Sequence, residues 1–159
     1  MTSLKIATWN LDGLSPNKDE VEVLLNSHKI DILLVSETHF TASSHVKIKN
    51  YDIYATNHPD GTTHAGAAVI IKSNIKHNEQ PQFKKSHIQA ATIAIEERHG
   101  TLNVTAIYCP PKHKITAEQY DELFDTLGSR FIVGGDWNSK NTHWGSRLTN
   151  TRGRELKKA

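Results

Sequence analysis

The stretch Arg130–Asn141, which reads RFIVGGDWNSKN, decides how the rest of the chain is interpreted. Its apolar run (131–133) is closed by two glycines and followed by Asp136 and Asn138, a pattern that predicts a buried strand whose carboxyl end opens into a polar loop. On extended chain, we expect the Asp136 carboxylate and the Asn138 amide to face one spot while Trp137 points the other way. Such a pair can hold a water molecule and a phosphate oxygen. The alternative is an ordinary strand-to-loop turn, in which Gly, Asp and Asn are common.

Two further predicted strands end in polar residues in the same way. Leu4–Trp9 is followed by Asn10 and Asp12, and Ile30–Val35 is followed shortly by Glu37. Strands of an α/β fold present functional groups at their carboxyl ends. We therefore expect these polar groups, far apart along the chain, to converge with Asp136 at one site.

The other segments predict an α/β fold in which most strands pair antiparallel, because four of them follow one another without helices. Their apolar character on both faces predicts sheets that are covered on both sides. Ser15 and Pro16 predict the start of one helix, and a capping box at Thr116 and Gln119 predicts a second that ends at Gly128. The four strands are Tyr51–Ala55, Ala65–Ile71, Ile88–Ile95 and Leu102–Tyr108.

Length and composition indicate one globular domain without a membrane partner. A chain of 159 residues can bury a sizeable core, its single cysteine excludes an internal disulfide, and no apolar run approaches the roughly 20 residues of a membrane span. We expect an intracellular protein.

The end of the chain is basic: from Ser139 onward, the sequence contains six Lys or Arg residues and one acidic residue. This basic end could attract a polyanion such as nucleic acid, although a solvated terminal helix would have the same charges.

Five motifs occur in an order that resembles the endonuclease/exonuclease/phosphatase superfamily. The resemblance is closest to the apurinic-type endonuclease that precedes the reverse transcriptase in jockey-like non-LTR retrotransposons. It covers nearly the whole chain and implies a four-layer sandwich of two mainly antiparallel sheets flanked by helices. It also implies nicking of DNA in the nucleus by phosphodiester hydrolysis, with a reverse transcriptase on the same polypeptide of the intact element. The motifs are TWNLDGL (8–14), SETH (36–39), HAGAAVIIK (64–72), IYCPP (107–111) and GGDWNSKNTHWGS (134–146).

The resemblance implies six active-site residues: Asn10, Asp12, Glu37, Tyr108, Asp136 and Asn138. Glu37, with Asp12 nearby, matches the site of a divalent metal, and Mg²⁺ or Mn²⁺ suits such oxygen ligands. Tyr108 matches a tyrosine that approaches the scissile phosphate. Asp136 matches the residue that orients or deprotonates the attacking water, and Asn138 the amide that steadies the phosphate. Without the resemblance, each residue also fits an ordinary turn, cap or core edge.

The last motif and the basic end supply the residues expected to contact DNA. Trp144 could stack on a base or wedge into the groove, or it could pack beneath its own loop. Two histidines near the site by motif order, His39 and His143, are interpreted as lone surface residues. The predicted DNA-contacting residues are Lys140, Asn141, His143, Trp144, Arg147 and Arg152.

The family's late Ser-Asp-His signature does not occur in the sequence. We therefore expect residues 1–159 to form a domain that is incomplete at its C-terminus, with an exposed sheet edge and weak or no activity. Two alternatives stay open: a noncatalytic nucleic-acid-binding remnant, and another phosphoesterase of the same superfamily.

Overall fold

Two sheets form the centre of the molecule, and the computed structural model describes residues 3–140 and 151–159. The first sheet has the strand order β1-β2-β4-β3. Its first pair is parallel, whereas β4 runs antiparallel to both of its neighbours. Its strands are β1 (Ile6–Asn10), β2 (Ile32–Ser36), β3 (Tyr51–Thr56) and β4 (Ala67–Lys72).

The second sheet has the order β5-β7-β8-β9, and β6 also pairs with β7. All of its pairs are antiparallel except β8 with β9, which run parallel. The prediction of mainly antiparallel pairing is confirmed for both sheets. The strands are β5 (His77–Glu79), β6 (Phe83–Lys84), β7 (Gln89–Glu97), β8 (Gly100–Tyr108) and β9 (Phe131–Asp136).

Three helices are described: α1 (Lys18–Ser27), α2 (Ala117–Asp125) and α3 (Thr151–Lys158). Both hydrogen bonds of the predicted capping box at Thr116 are present. The predicted start at Ser15 and Pro16 is a 3₁₀ turn (Ser15–Asn17), and α1 begins only at Lys18. None of the helices in the described ranges is long and apolar enough to cross a membrane.

The helices and sheets stack in four layers, which confirms the predicted architecture. All five residues of β2 are buried, because one face of this strand meets the second sheet and the other meets α1. Between the sheets lie Ile32, Leu34, Ile93 and Val104. Val21 and Leu25 of α1 pack against Leu33 and Val35 of β2. Tyr120 and Leu123 of α2 pack against Ile107 of β8 and against Ile88, which directly precedes β7.

Strand β9 departs from the buried strand that its apolar run predicts. Phe131 is 39% exposed and Ile132 is 41% exposed. Within the described ranges β9 pairs only with β8, so it forms an edge of the second sheet. Hydrophobic periodicity cannot distinguish an edge strand from a central one, which explains the difference.

Candidate active site

Four strand ends meet at one end of the sandwich. The parallel register of the first sheet places Asn10 opposite Ser36, directly before Glu37. The parallel register of the second sheet places Tyr108 opposite Asp136. Both sheets therefore deliver polar side chains to the same end of the molecule, although the residues are as much as 126 positions apart.

The side-chain amide of Asn10 connects the two sheets at this end. Its Nδ2 donates to Oδ2 of Asp136 at 2.9 Å and lies 3.5 Å from Oε1 of Glu37. One amide group thus holds two carboxylates near each other. An amide donor between two acceptors reduces the repulsion that two nearby carboxylates would otherwise experience.

Ser36 provides the buried support beneath these carboxylates. Its Oγ accepts a hydrogen bond from the Asp136 amide at 2.9 Å and donates to the Ile107 carbonyl at 3.0 Å. The backbone at Gly135 has φ +146°, and a Cβ there would come within 2.1 Å of the Ile107 carbonyl oxygen. The close approach of β9 to β8 therefore requires glycine immediately before Asp136.

A second acidic corner lies beside Glu37. Asp12 Oδ1 is 3.4 Å from His39 Nε2, and Glu37 Oε2 is 3.7 Å from the same nitrogen. One ligand atom from each of these three residues lies within 4.8 Å of the others. The interpretation of His39 as a lone surface histidine is wrong. The available signal was its place two residues after Glu37 in the SETH motif.

Four residues of the candidate site have left-handed backbone conformations. Their φ angles are +51° at Asp12, +58° at Glu37, +56° at His39 and +48° at Asn138. Such conformations cost roughly 1–3 kcal/mol each in residues other than glycine and cluster at functional sites. Main-chain hydrogen bonds hold two of them, since Glu37 N donates to the Gly66 carbonyl and His39 N to the Ala65 carbonyl.

Tyr108 is a buried tyrosine that reaches the two carboxylates. Burial, the charge of Glu37 and a hydrogen bond with Glu37 raise the pKa of its phenol well above the ordinary value, and the charge of Asp136 adds to this effect. The phenol therefore keeps its proton throughout the neutral pH range. It can act as a hydrogen-bond donor in the site.

Asn138 is oriented differently from the prediction. Strand β9 ends at Asp136, so the chain is no longer extended at Asn138. The Asn138 amide N–H donates to Asp136 Oδ1 at 2.8 Å, and its side-chain Nδ2 donates to the Cys109 carbonyl at 2.9 Å. Trp137 points away as expected and contacts the rings of Tyr120 and Phe124. Asn138 thus fixes the loop and the carboxylate of Asp136.

A groove of about 690 Å³ extends from Asp136 towards the segment after Tyr108. Among the described residues, its lining includes the exposed bases Lys112, Lys114 and Lys140. A negatively charged ligand would be attracted to this groove.

Arg152 does not fit the prediction of a DNA-contacting side chain. It is only 6% exposed, and its guanidinium donates to the carbonyls of His113, Cys109, Trp137 and Pro110. A guanidinium offers five donors in a rigid fork, so it suits this cluster of main-chain acceptors.

Among the other predicted DNA contacts, Lys140 is exposed at the groove. The other four predicted DNA contacts lie outside the described residues: Asn141, His143, Trp144 and Arg147.

Comparisons with known proteins agree with the fold and with the motif order. The model of the Endonuclease/Exonuclease/phosphatase family matches residues 7–157. The RNA-directed DNA polymerase from mobile element jockey of Drosophila melanogaster is 34% identical over 154 residues, which are 97% of this chain and 17% of that protein. The probable RNA-directed DNA polymerase from transposon X-element of the same species is 35% identical over 96% of this chain and 17% of its own length. The chain thus spans about a sixth of these relatives.

Solved structures with the same fold include an endonuclease domain and a second catalytic domain. The endonuclease domain of TRAS1, a telomere-specific non-LTR retrotransposon, superposes with a TM-score of 0.77 at 24% identity and covers 98% of this chain and 70% of its own. The catalytic domain of Xenopus laevis APE2 superposes with a TM-score of 0.62 at 19% identity, over 87% of this chain and 59% of its own. At these identities the superpositions show the fold alone.

Proposed function

The chain belongs to the endonuclease/exonuclease/phosphatase family, and from that premise we propose that its strand-end site hydrolyses phosphodiester bonds in DNA with a divalent metal. The observation that carries this proposal is the Asn10 amide, which holds the carboxylates of Asp136 and Glu37 together. Phosphodiester hydrolysis needs one group that positions water and another that balances charge on the phosphate. Asp136 can position the water, and a divalent cation held by Glu37 would balance the charge on the phosphate.

The residues around Glu37 have the donor chemistry that a divalent metal requires. Asp12 and Glu37 each offer a carboxylate within 4.8 Å of the other and of His39. Mg²⁺ prefers oxygen ligands and keeps several waters, so one or two carboxylates suffice, and Mn²⁺ accepts the same ligands. Glu37 and Asp12 would hold the ion. The ion would act as a Lewis acid on a phosphoryl oxygen and would stabilise the negative charge on the leaving group.

Asp136 is proposed to orient the attacking water. Its carboxylate is held on one side by the Asn10 amide and on the other by the Asn138 N–H. A carboxylate fixed by two donors presents its remaining lone pairs in one direction, which lowers the entropic cost of placing the nucleophile. Asn10 and Asn138 are therefore positioning residues for Asp136.

Tyr108 is proposed to donate a hydrogen bond to the phosphate. Its phenol is protonated because burial and Glu37 raise its pKa. A neutral donor in a partly desolvated site stabilises negative charge that develops on a phosphoryl oxygen. Because a phenol has only one proton to donate, a hydrogen bond to the phosphate would replace the one with Glu37.

DNA is the proposed substrate because the basic residues at the groove and the nature of the related proteins both favour it. Lys112, Lys114 and Lys140 surround the groove beside Asp136, and phosphate contacts by such bases dominate affinity for DNA. The relatives are RNA-directed DNA polymerases of mobile elements. We infer that the domain nicks chromosomal target DNA in the nucleus, for integration by a reverse transcriptase on the same polypeptide of the intact element.

Conversion of supercoiled plasmid to nicked circle tests the proposal. We expect slow nicking in Mg²⁺ or Mn²⁺ that disappears in EDTA and in Glu37→Gln and Asp136→Asn. Asp125→Asn, at an exposed carboxylate on α2, is the matched control. Cleavage that is equal in wild type and Asp136→Asn would reject the assignment.

A substrate panel separates DNA from the other phosphates of the superfamily. Plain plasmid, abasic duplex and an inositol phosphate are compared at equal enzyme and metal concentrations. We expect cleavage of one or both DNA substrates and none of the inositol phosphate. Preference for the inositol phosphate would favour another phosphoesterase, and salt-dependent DNA binding without metal-dependent cleavage would favour a noncatalytic binding remnant.

A further inference from the structure

The loop between β3 and β4 carries a cluster of two imidazoles and one carboxylate that the proposed reaction does not use. His58 Nδ1 lies 3.1 Å from Asp60 Oδ1, and His64 Nε2 lies 3.5 Å from Asp60 Oδ2. The two imidazole rings have centroids 4.4 Å apart, and one ligand atom from each residue lies within 4.8 Å of the others. We propose that His58, Asp60 and His64 form a binding site for a transition-metal cation such as Zn²⁺.

The hydrogen bonds around His64 leave its Nε2 as an acceptor. The hydroxyl of Thr62 donates to Asp60 Oδ1 at 2.9 Å, so its oxygen is available to accept the proton of His64 Nδ1, which it contacts. With Nδ1 protonated, the neutral ring carries its lone pair on Nε2. That lone pair faces the carboxylate oxygen of Asp60.

The hydrogen bonds around His58 likewise leave one of its ring nitrogens, Nδ1, as an acceptor. The main-chain N–H of Asp60 donates to His58 Nδ1 at 3.2 Å, so this nitrogen is also an acceptor. Its side chain is 6% exposed, and its buried Nε2 carries the ring proton when Nδ1 is the acceptor. His58 Nδ1, the Asp60 carboxylate and His64 Nε2 therefore converge, and a bound cation would replace the 3.2 Å bond at His58 Nδ1 and offset the repulsion between His64 Nε2 and Asp60 Oδ2.

The spacing of the three acceptors fits a tetrahedral ion. Bonds of about 2.0–2.1 Å and tetrahedral angles place ligand atoms about 3.3–3.4 Å apart. His58 Nδ1 lies 3.1 Å from Asp60 Oδ1 and His64 Nε2 lies 3.5 Å from Asp60 Oδ2, so each imidazole lies at about this spacing from a different oxygen of the carboxylate. For tetrahedral coordination, the imidazole nitrogens, at most 4.8 Å apart, have to move closer together, and the carboxylate has to turn so that one oxygen faces both of them. The side chains of Asp60 and His64 are 44% and 40% exposed, so water can complete the coordination.

The carboxylate is held ready for a cation by its neighbours. Thr62 donates to Asp60 Oδ1 through both its main-chain N–H and its hydroxyl, each at 2.9 Å. These bonds, the main-chain one first, lower the pKa of Asp60 to about 2. Groups that fix a metal ligand in this way commonly improve metal affinity.

The ligand set favours Zn²⁺ over the ion proposed for Glu37. Imidazole nitrogens suit Zn²⁺ and related transition metals, whereas Mg²⁺ prefers oxygen alone. The same loop ends at Ala65 and Gly66, whose carbonyls accept from the N–H groups of His39 and Glu37. A cation on this loop therefore stabilises the segment that presents Glu37, and its binding does not depend on the proposed phosphodiesterase chemistry.

Cobalt spectroscopy tests this site directly, because tetrahedral Co²⁺ absorbs visible light strongly and replaces Zn²⁺. Co²⁺ is titrated into the Glu37→Gln chain in excess Mg²⁺, so that the acidic corner at Asp12 contributes little. We expect one equivalent to bind with visible absorption and Zn²⁺ to displace it. Adding His64→Gln should weaken Co²⁺ binding at least about tenfold, whereas adding His99→Gln, in an exposed turn, should not.

Thermal unfolding gives a second readout that is independent of activity. In the Glu37→Gln chain with excess Mg²⁺, Zn²⁺ should raise the unfolding midpoint, also when His99→Gln is added, but not when His64→Gln is added. Unfolding curves without metal show whether each variant is folded. Co²⁺ binding that His64→Gln leaves unchanged, or the lack of binding in folded Glu37→Gln, would overturn the proposal.

Discussion

The side-chain amide of Asn10 donates a 2.9 Å hydrogen bond to the carboxylate of Asp136, across 126 positions of sequence and from one sheet to the other. Asn10 ends β1 and Asp136 ends β9, so this bond exists only when both sheets are packed face to face. The bond makes the orientation of Asp136 a property of the whole fold. It also brings Asp136 close to Glu37, which lies 3.5 Å from the same nitrogen.

Asn10→Ala should lower the rate of phosphodiester hydrolysis about 10- to 100-fold. The substitution removes the donor between two carboxylates and leaves Asp136 held only by the Asn138 N–H. Because Asn10 is exposed, the free energy of unfolding should change little. Rates are measured together with urea unfolding of the same sample. Asn78→Ala, at an exposed position of β5, is the control, and an unchanged rate in Asn10→Ala would contradict the role.

Ser36→Ala should lower the free energy of unfolding by about 1–3 kcal/mol. The change leaves the buried N–H of Asp136 and carbonyl of Ile107 without the hydroxyl that both now use. Urea unfolding of wild type and variant measures the effect. Ser27→Ala, on an exposed position of α1, should stay within about 0.5 kcal/mol of wild type. Equal stability of Ser36→Ala and Ser27→Ala would show that the hydroxyl does not join the sheets.

Alkaline pH should destabilise the protein through Tyr108. Its folded-state pKa is raised by burial and by Glu37, so the folded protein holds this proton more tightly than the unfolded chain. The stabilisation is complete below the unfolded value, about 10, and is lost as the pH rises towards the folded value. Urea unfolding between pH 8 and 11 measures the slope. Tyr108→Phe should reduce the slope without abolishing it, because burial also raises the pKa of the Cys109 thiol and of the Tyr120 phenol. A variant with the wild-type slope would contradict the assignment.

Lys140 and Arg152 should behave differently although both come from the basic end. Lys140→Gln should reduce the slope of log affinity for duplex DNA against log salt by about one. Arg152→Gln should lower the free energy of unfolding, by about 1–3 kcal/mol or more, because several main-chain carbonyls lose their donor. Fluorescence anisotropy at several salt concentrations and urea unfolding separate the effects.

A distant lysine controls for general charge in that comparison. Lys49 lies before β3, at the end of the sheet far from Glu37. Lys49→Gln should leave the salt slope unchanged. If Lys49→Gln and Lys140→Gln reduced the salt dependence of DNA affinity equally, DNA would bind through overall charge and not through the groove.

The strand ends could be predicted because local signals agree there. Apolar runs that stop at glycine or at polar residues identified Asn10, Glu37 and Asp136, and the capping box identified the start of α2 at Thr116. The order of motifs then implied the four-layer fold. Local chemistry and tertiary packing favour the same structure in these segments, which is why the sequence alone predicts them.

The remaining features depend on contacts that no local pattern encodes. Strands β5 and β6 contain only three and two residues, too few for periodicity to register. Asn138 leaves the extended conformation because its N–H turns back to Asp136, and Phe131 is exposed because β9 is an edge in the described part of the sheet. His39 meets Asp12 only after two loops pack together.

Metal-dependent hydrolysis of bis(p-nitrophenyl) phosphate tests the central claim most directly. Its nitrophenolate leaving group departs without being protonated, and a substrate this small does not require the DNA-binding surface. With Mn²⁺, we expect turnover by residues 1–159 that is abolished by EDTA. It should fall about a hundredfold or more in Asp136→Asn and Glu37→Gln, as expected when an electrostatic or positioning group is lost, and stay unchanged in Asp125→Asn. Equal rates in the wild type and in Asp136→Asn, with both proteins folded, would contradict the claim that these strand ends form one catalytic site.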